Sequence, residues 1–180
     1  MAVIAHHAVQ AGPAAYGEAV RWAVAAADQA ELRQSYLEAA SWLEHAVTAH
    51  DASGGDPAEQ VELLLRQVRA LLEAGDPIGA RQARAAAIRA ADRVGERELP
   101  VRALTALDAP VLCLLRDPYR EVDLRLVHRI ETALRALPPI DSPERVLLLA
   151  GVAQELYDGT ADPRCDTLSR RSRRHGPPPG

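Results

Sequence analysis

The 180-residue chain predicts an all-α protein, built of antiparallel helical hairpins stacked as a solenoid. Three observations carry that reading. Asp-Pro recurs at Asp56-Pro57, Asp76-Pro77, Asp117-Pro118 and Asp162-Pro163, with Ser142-Pro143 beside them. Apolar residues fall at helical spacing, and the pattern returns after about forty residues, a period typical of helical-hairpin arrays. Composition is 48% hydrophobic yet only 3% aromatic, with no Phe, so the core must be made of Ala, Leu and Val. Such residues suit closely approaching helices better than strands.

Each Asp-Pro reads as a helix start. The Asp carboxylate accepts from free backbone N–H groups, and Pro fits the next position because its φ is already helical. At Asp56 a capping box is expected as well, since Glu59 stands three residues on. Gly75 supplies the matching stop, because glycine takes the left-handed conformation that follows a helix end. "AGDP" (74–77) is therefore a stop and a start back to back, and helices joined so tightly fold into a hairpin.

In chain order, a first helix is expected from about Pro13 to Gln29. A second runs from Glu31 to about Ala49, with the stripe Leu32, Tyr36, Ala39, Ala40, Leu43 and Ala46. The third, Pro57 to Ala74, places Val61, Leu64, Leu65, Val68, Leu71 and Leu72 on one face, with Leu63 and Ala70 opposite. That is the pattern of a helix held between two neighbours. The fourth, Pro77 to about Val94, presents Ala80, Ala83, Ala87 and Ala91, small enough to let helix axes approach. Ala39 and Ala46 recur 41 residues later as Ala80 and Ala87. Further on come a helix near 97–108, an irregular turn over 109–121, a helix near 122–136 and another from Ser142 to Asp158. Leu148, Leu149, Ala153, Leu156 and Tyr157 repeat Leu63, Leu64, Val68, Leu71 and Leu72 at an offset of 85, or two periods. The expected domain spans 1–168, with hairpins at 13–49, 57–94, 97–137 and 142–168. Residues 169–180, rich in Arg and Pro, are expected to be a disordered tail.

Gly75, Ala80 and Ala87 are spaced as in a tetratricopeptide repeat. More widely, "AHHAVQAG" (5–12), "EAVRWAVAAADQA" (18–30), "SYLEAASWLEHAV" (35–47) and "LLEAGDPIGAR" (71–81) resemble the solenoid of actinobacterial regulators. Those proteins carry a STAND-type AAA ATPase module, a tetratricopeptide-like solenoid and often a LuxR-type or related DNA-binding domain. The likeness covers roughly 4–168, and in such proteins it implies a segment that receives an inducer or a protein partner and relays the signal to the ATPase. The chain has no G-x-x-x-x-G-K-[ST] phosphate loop and no recognisable helix-turn-helix.

Net charge is −4 with both signs interspersed, which gives no overall field for nucleic acid or an anionic membrane. No apolar run approaches a membrane span and no leader pattern opens the chain, so a cytoplasmic protein is expected. Cys113 and Cys165 are too few for a thiolate metal site, and Cys113, in "PVLCLL", reads as a buried small hydrophobe. His6 and His7 are adjacent, and His45 and His50 are five apart, so neither pair has the i, i+4 spacing of a helical metal site. Asp117, Glu121 and Asp123 lack the glycine and terminal glutamate of a calcium loop and read as caps. Trp22 and Trp42 lie in helical stripes and read as packing residues. No cofactor, no metal and no catalytic set is expected.

One surface stands out. Glu62, Arg66, Arg69 and Glu73 share a face of the third helix, and by the tetratricopeptide resemblance first helices line the concave groove. These four are the candidate partner-binding residues. A solvated row whose i, i+4 charges neutralise one another is the simpler expectation. The leading function is thus a protein-interaction, signal-receiving solenoid of a transcriptional regulator, not an enzyme. An inducer sensor binding between helices is one alternative. A nucleic-acid accessory protein acting through Arg170, Arg171, Arg173 and Arg174 is the other. Since "PRCDTLSRRSRRHG" offers few apolar groups to cover the stripe of Leu148, Leu149, Ala153 and Leu156, self-association through the C-terminal hairpin is also expected.

Overall fold

The computed structural model describes residues 15–95, 98–107 and 123–156. Among them every regular element is helical: α1 (Tyr16–Leu32), α2 (Tyr36–Ser53), α3 (Pro57–Glu73), α4 (Pro77–Val94), α5 (Glu98–Thr105), α6 (Leu124–Ala136) and α7 (Pro143–Leu156). Helices adjacent in sequence pack as stacked pairs: α1 on α2, α2 on α3, α3 on α4, α4 on α5, and α6 on α7. The chain divides into two compact units between Leu107 and Asp108. The helices of the expected 97–137 hairpin, α5 and α6, consequently belong to different units.

In the first unit the hairpin α1–α2 closes through alanine. Ala19, Ala23, Ala26, Ala27 and Ala30 of α1 and Ala39, Ala40 and Ala46 of α2 are buried, with Leu43 the one large side chain among them. An alanine seam of this kind brings backbones together and gains dispersion over many short contacts. The next hairpin alternates sizes: Val61, Leu63, Leu64, Val68, Ala70 and Leu71 of α3 are buried, as are Ala80, Ala83, Ala87 and Ala91 of α4. Burial of both Leu64 and Leu63 reflects the neighbours α3 has on two sides. One apolar cluster runs continuously from α1 through α4, and Ala106 and Leu107 pack against it beyond α5.

The helix ends follow the expected chemistry in most places. Asp56 accepts from the Ala58 N–H at 3.1 Å, Asp76 from that of Gly79 at 2.9 Å, and Asp123 from those of Arg125 and Leu126. Ser142 accepts from the Arg145 N–H at 3.2 Å. Gly75 has φ of +75°, and the Asp76 N–H reaches back to the Leu71 carbonyl while that of Gly75 reaches Leu72. This is the Schellman arrangement, which satisfies two of the last carbonyls of the helix.

Three expectations need correction. The first hairpin turn lies at Arg33–Ser35, not near residue 30, so Leu32 ends α1 and is exposed, and does not join the α2 stripe. The turn is made by Gln34 at φ +57°, with the Ser35 N–H bonded to Ala30 O and the Gln34 N–H to Glu31 O. It is the same Schellman arrangement, built without glycine, and so left no glycine in the sequence to mark it. The capping box at Asp56 does not form: the Glu59 carboxylate lies 3.3 Å from His50 Nε2 instead. Third, the C-terminal stripe is not bare. Leu148, Leu149, Val152, Ala153 and Leu156 are all buried. The helix α6 packs along α7, with Ile130 against Gly151 and Arg145 donating to the Leu134 carbonyl at 3.2 Å. The apolar patch that was to drive self-association is therefore covered at these positions. The tail 169–180, the second half of the 142–168 hairpin, and the Asp117 and Asp162 starts lie outside the described residues.

Candidate interaction face

The row on α3 is a product of the fold on either side of it. Because α3 packs against α2 on one flank and α4 on the other, its polar residues are left on a strip that looks toward α1 and α5. Glu62 and Arg66 stand one turn apart on that strip and pair in opposite directions. Arg66 Nη2 donates to Asp28 Oδ1 at 2.7 Å and to Glu31 Oε2 at 3.0 Å, both on α1. Glu62 accepts from both terminal guanidinium nitrogens of Arg102 on α5, Nη1 to Oε1 at 2.5 Å and Nη2 to Oε2 at 2.8 Å. Charge-assisted, two-pronged pairs of this geometry are the stronger kind of polar contact. Arg66 is partly desolvated, but Asp28 and Glu31 hold its pKa above the ordinary value. Arg102 is likewise raised, chiefly by Glu62.

The expected i, i+4 neutralisation along α3 does not occur. Glu62 and Arg66 spend their charges on helices 35 to 40 residues away in sequence. Arg69 and Glu73, which continue the row, are exposed, and their side chains make no hydrogen bond or ion pair with another described residue. Asp28, Glu31 and Arg102 join the candidate row through these pairings, and sequence reasoning missed them. No local spacing could have revealed them, because each pairing depends on how one hairpin lies beside the next.

The other candidates fall out as follows. His50 is buried in the last turn of α2, beside Glu59, and its ring lies where a side chain on Gly55 would be. His45 is exposed, with its ring centroid 5.6 Å from that of Trp42. Trp42 is half-buried against the apolar cluster, a packing residue, and Trp22 is half-buried on α1. Among the described residues no group of three His, Cys, Asp or Glu side chains is arranged to hold a metal. No described helix is long and apolar enough to cross a membrane. His6, His7, Cys113, Asp117, Glu121, Cys165 and the Arg cluster 170–174 lie outside the described residues.

A second polar group lies at the far end of α3. Gln60 is buried, donates to Asp51 Oδ1 on α2 at 3.1 Å and accepts from Arg93 on α4 at 2.5 Å. A single amide thus ties three helices, using both its donor and its acceptor side. With every buried side-chain polar atom of the described residues partnered, this cluster reads as a fastening of the stack. No family model, curated protein or solved structure matches this chain.

Proposed function

We propose that the helical stack is the signal-receiving segment of a multidomain transcriptional regulator and docks a protein partner on the face shared by α1, α3 and α5. It has no catalytic activity of its own on this reading. One observation carries the choice of face. Arg69 and Glu73 extend the row beyond the two residues consumed in holding the hairpins together, and both remain exposed and unpaired. Opposite charges four residues apart that do not pair with each other present two separate recognition points to a partner. The resemblance of the sequence to tetratricopeptide-like regulator solenoids supports the same assignment.

Photo-crosslinking in cells tests it. A benzoyl-phenylalanine placed at Arg69 or Glu73 should capture an ATPase domain or a transcription-regulator chain, and the same probe at Glu44 on α2 should not. Capture that is equal at Glu44, or confined to small molecules, would remove the interaction-face reading.

A further inference from the structure

We infer that the turn-bearing end of the first unit docks a short amphipathic helix of another protein, with basic residues beside its apolar stripe. Successive helices reverse direction, so the turns 33–35 and 74–76 lie at one end of the unit. Leu32 and Glu73 close α1 and α3 there, and Leu37 and Ile78 stand at the start of α2 and α4. Among the described residues of this unit, the exposed large apolar side chains are Leu32, Leu37 and Ile78, at 86%, 69% and 66% exposure. All three therefore sit at the same end. Exposed leucines scattered over a surface need no explanation, whereas a gathered set marks a contact. Leu37 and Ile78 are each the second residue of their helix and lie 41 residues apart, so the feature is repeated in both hairpins. A hydrophobic staple uses the residue before the cap and the fourth residue of the helix, so capping does not call for either side chain.

Size and charge select the occupant. Three such side chains offer a few hundred Å² of apolar area, well under the roughly 800 Å² per partner that a stable dimer buries. A short segment fits this area better than a second copy of the chain. Helix ends present no sheet edge for a strand to pair with, so the segment must satisfy its own backbone, as a helix does. Around the patch, Arg33 and Glu38 neutralise each other at 3.7 Å, Asp76 accepts from the Gly79 N–H, and Arg81 is engaged within the fold. Glu73 pairs with no other described residue. It also ends α3, where the peptide dipoles disfavour an anion, and no basic residue shares that last turn. A cation carried by the docking helix supplies what Glu73 lacks. This surface meets the α1–α3–α5 strip only at Glu73, and its failure would leave the reading of that strip in place.

The test uses the full chain and a fluorescent synthetic helix of about 18 residues, with leucines at helical spacing on one face and lysines beside them. Fluorescence anisotropy should show this peptide binding about tenfold or more tightly than one of the same composition rearranged to destroy the stripe. Leu37→Ser/Ile78→Ser should weaken binding by about tenfold or more, as the loss of two buried aliphatic side chains entails, at unchanged circular dichroism. Ile78→Ser alone serves if the double variant folds poorly, with a smaller loss in the same direction. Glu73→Lys should weaken the lysine peptide and strengthen its counterpart with glutamates in place of lysines, an exchange that about 1 M salt abolishes. Equal binding of the striped and rearranged peptides, binding unchanged by Leu37→Ser/Ile78→Ser, or no exchange of preference with Glu73→Lys would overturn the inference. Sedimentation supplies the remaining arm. A parent dimer that Leu37→Ser/Ile78→Ser dissolves would put a second copy on this end, and would overturn the inference as well.

Discussion

The turns of the first two hairpins have the same backbone and almost nothing else in common. At Arg33–Ser35 and at Ala74–Asp76 the same pair of reversed hydrogen bonds closes the helix, and the central residue is left-handed in both. In the second turn that residue is Gly75, and the helix after it is capped by Asp76. In the first it is Gln34, and Ser35 makes no side-chain cap bond. The first turn thus forgoes both local aids, at a cost of about 1 kcal/mol for the left-handed glutamine. It folds the same way because the alanine seam between α1 and α2 leaves the chain one place to reverse. Packing sets the turn in one hairpin; in the other, packing and turn chemistry agree.

The junction between the hairpins supplies the largest expected effect. Gly55 follows the left-handed Gly54, and a Cβ there would lie 2.5 Å from His50 Nε2. Gly55→Ala should destabilise the protein by about 2 kcal/mol, as overpacking of a buried ring does. In a His50→Ala background the same change should cost little, and chemical denaturation of the four-member cycle reads the difference. Additive behaviour would show that the ring is not the obstacle.

Next comes Gly75→Val. A β-branched residue resists φ of +75°, so a loss of about 1 kcal/mol or more is expected in the unfolding free energy. An unchanged midpoint would mean that the second turn, like the first, is held by packing alone. Asp76→Ala removes the bond to the Gly79 N–H and should cost about 1 kcal/mol, whereas Ser35→Ala, at a cap without a side-chain bond, should be nearly neutral. Equal losses at the two sites would dissolve the distinction between the turns.

How much of this was legible in the sequence follows the same division. Where turn chemistry and packing agree, at Asp56, Asp76, Gly75 and Ser142, the starts and stops could be read from single residues. The burial of Ala80, Ala83, Ala87 and Ala91 could be read from spacing, because a helix periodicity states which face is covered. The Arg33–Ser35 turn could not be read, since glutamine carries no mark of a left-handed residue. Glu59 was expected to cap its own helix, but His50 competes for it from the preceding one. The candidate row was legible as a face, from Glu62, Arg66, Arg69 and Glu73 on one helix. Its division into paired and free residues was not, because Asp28, Glu31 and Arg102 arrive only when the hairpins are stacked. The cover over Leu148 and Leu149 was hidden likewise, the sequence showing the stripe on α7 but not that α6 lies along it.

The most direct test of the claim that one hairpin has been built twice, on different local supports, is a reciprocal exchange at the two left-handed positions. Gln34→Gly and Gly75→Gln are compared by their urea midpoints under identical conditions. Glycine at 34 should stabilise the protein and glutamine at 75 destabilise it, each by about 0.5–1 kcal/mol, because each exchange changes the strain of the same conformation. The double exchange should return close to the parent, since the strain is moved from one turn to the other. Destabilisation by Gln34→Gly would contradict the account, showing that the first turn depends on its glutamine side chain and that the two hairpins are not equivalent.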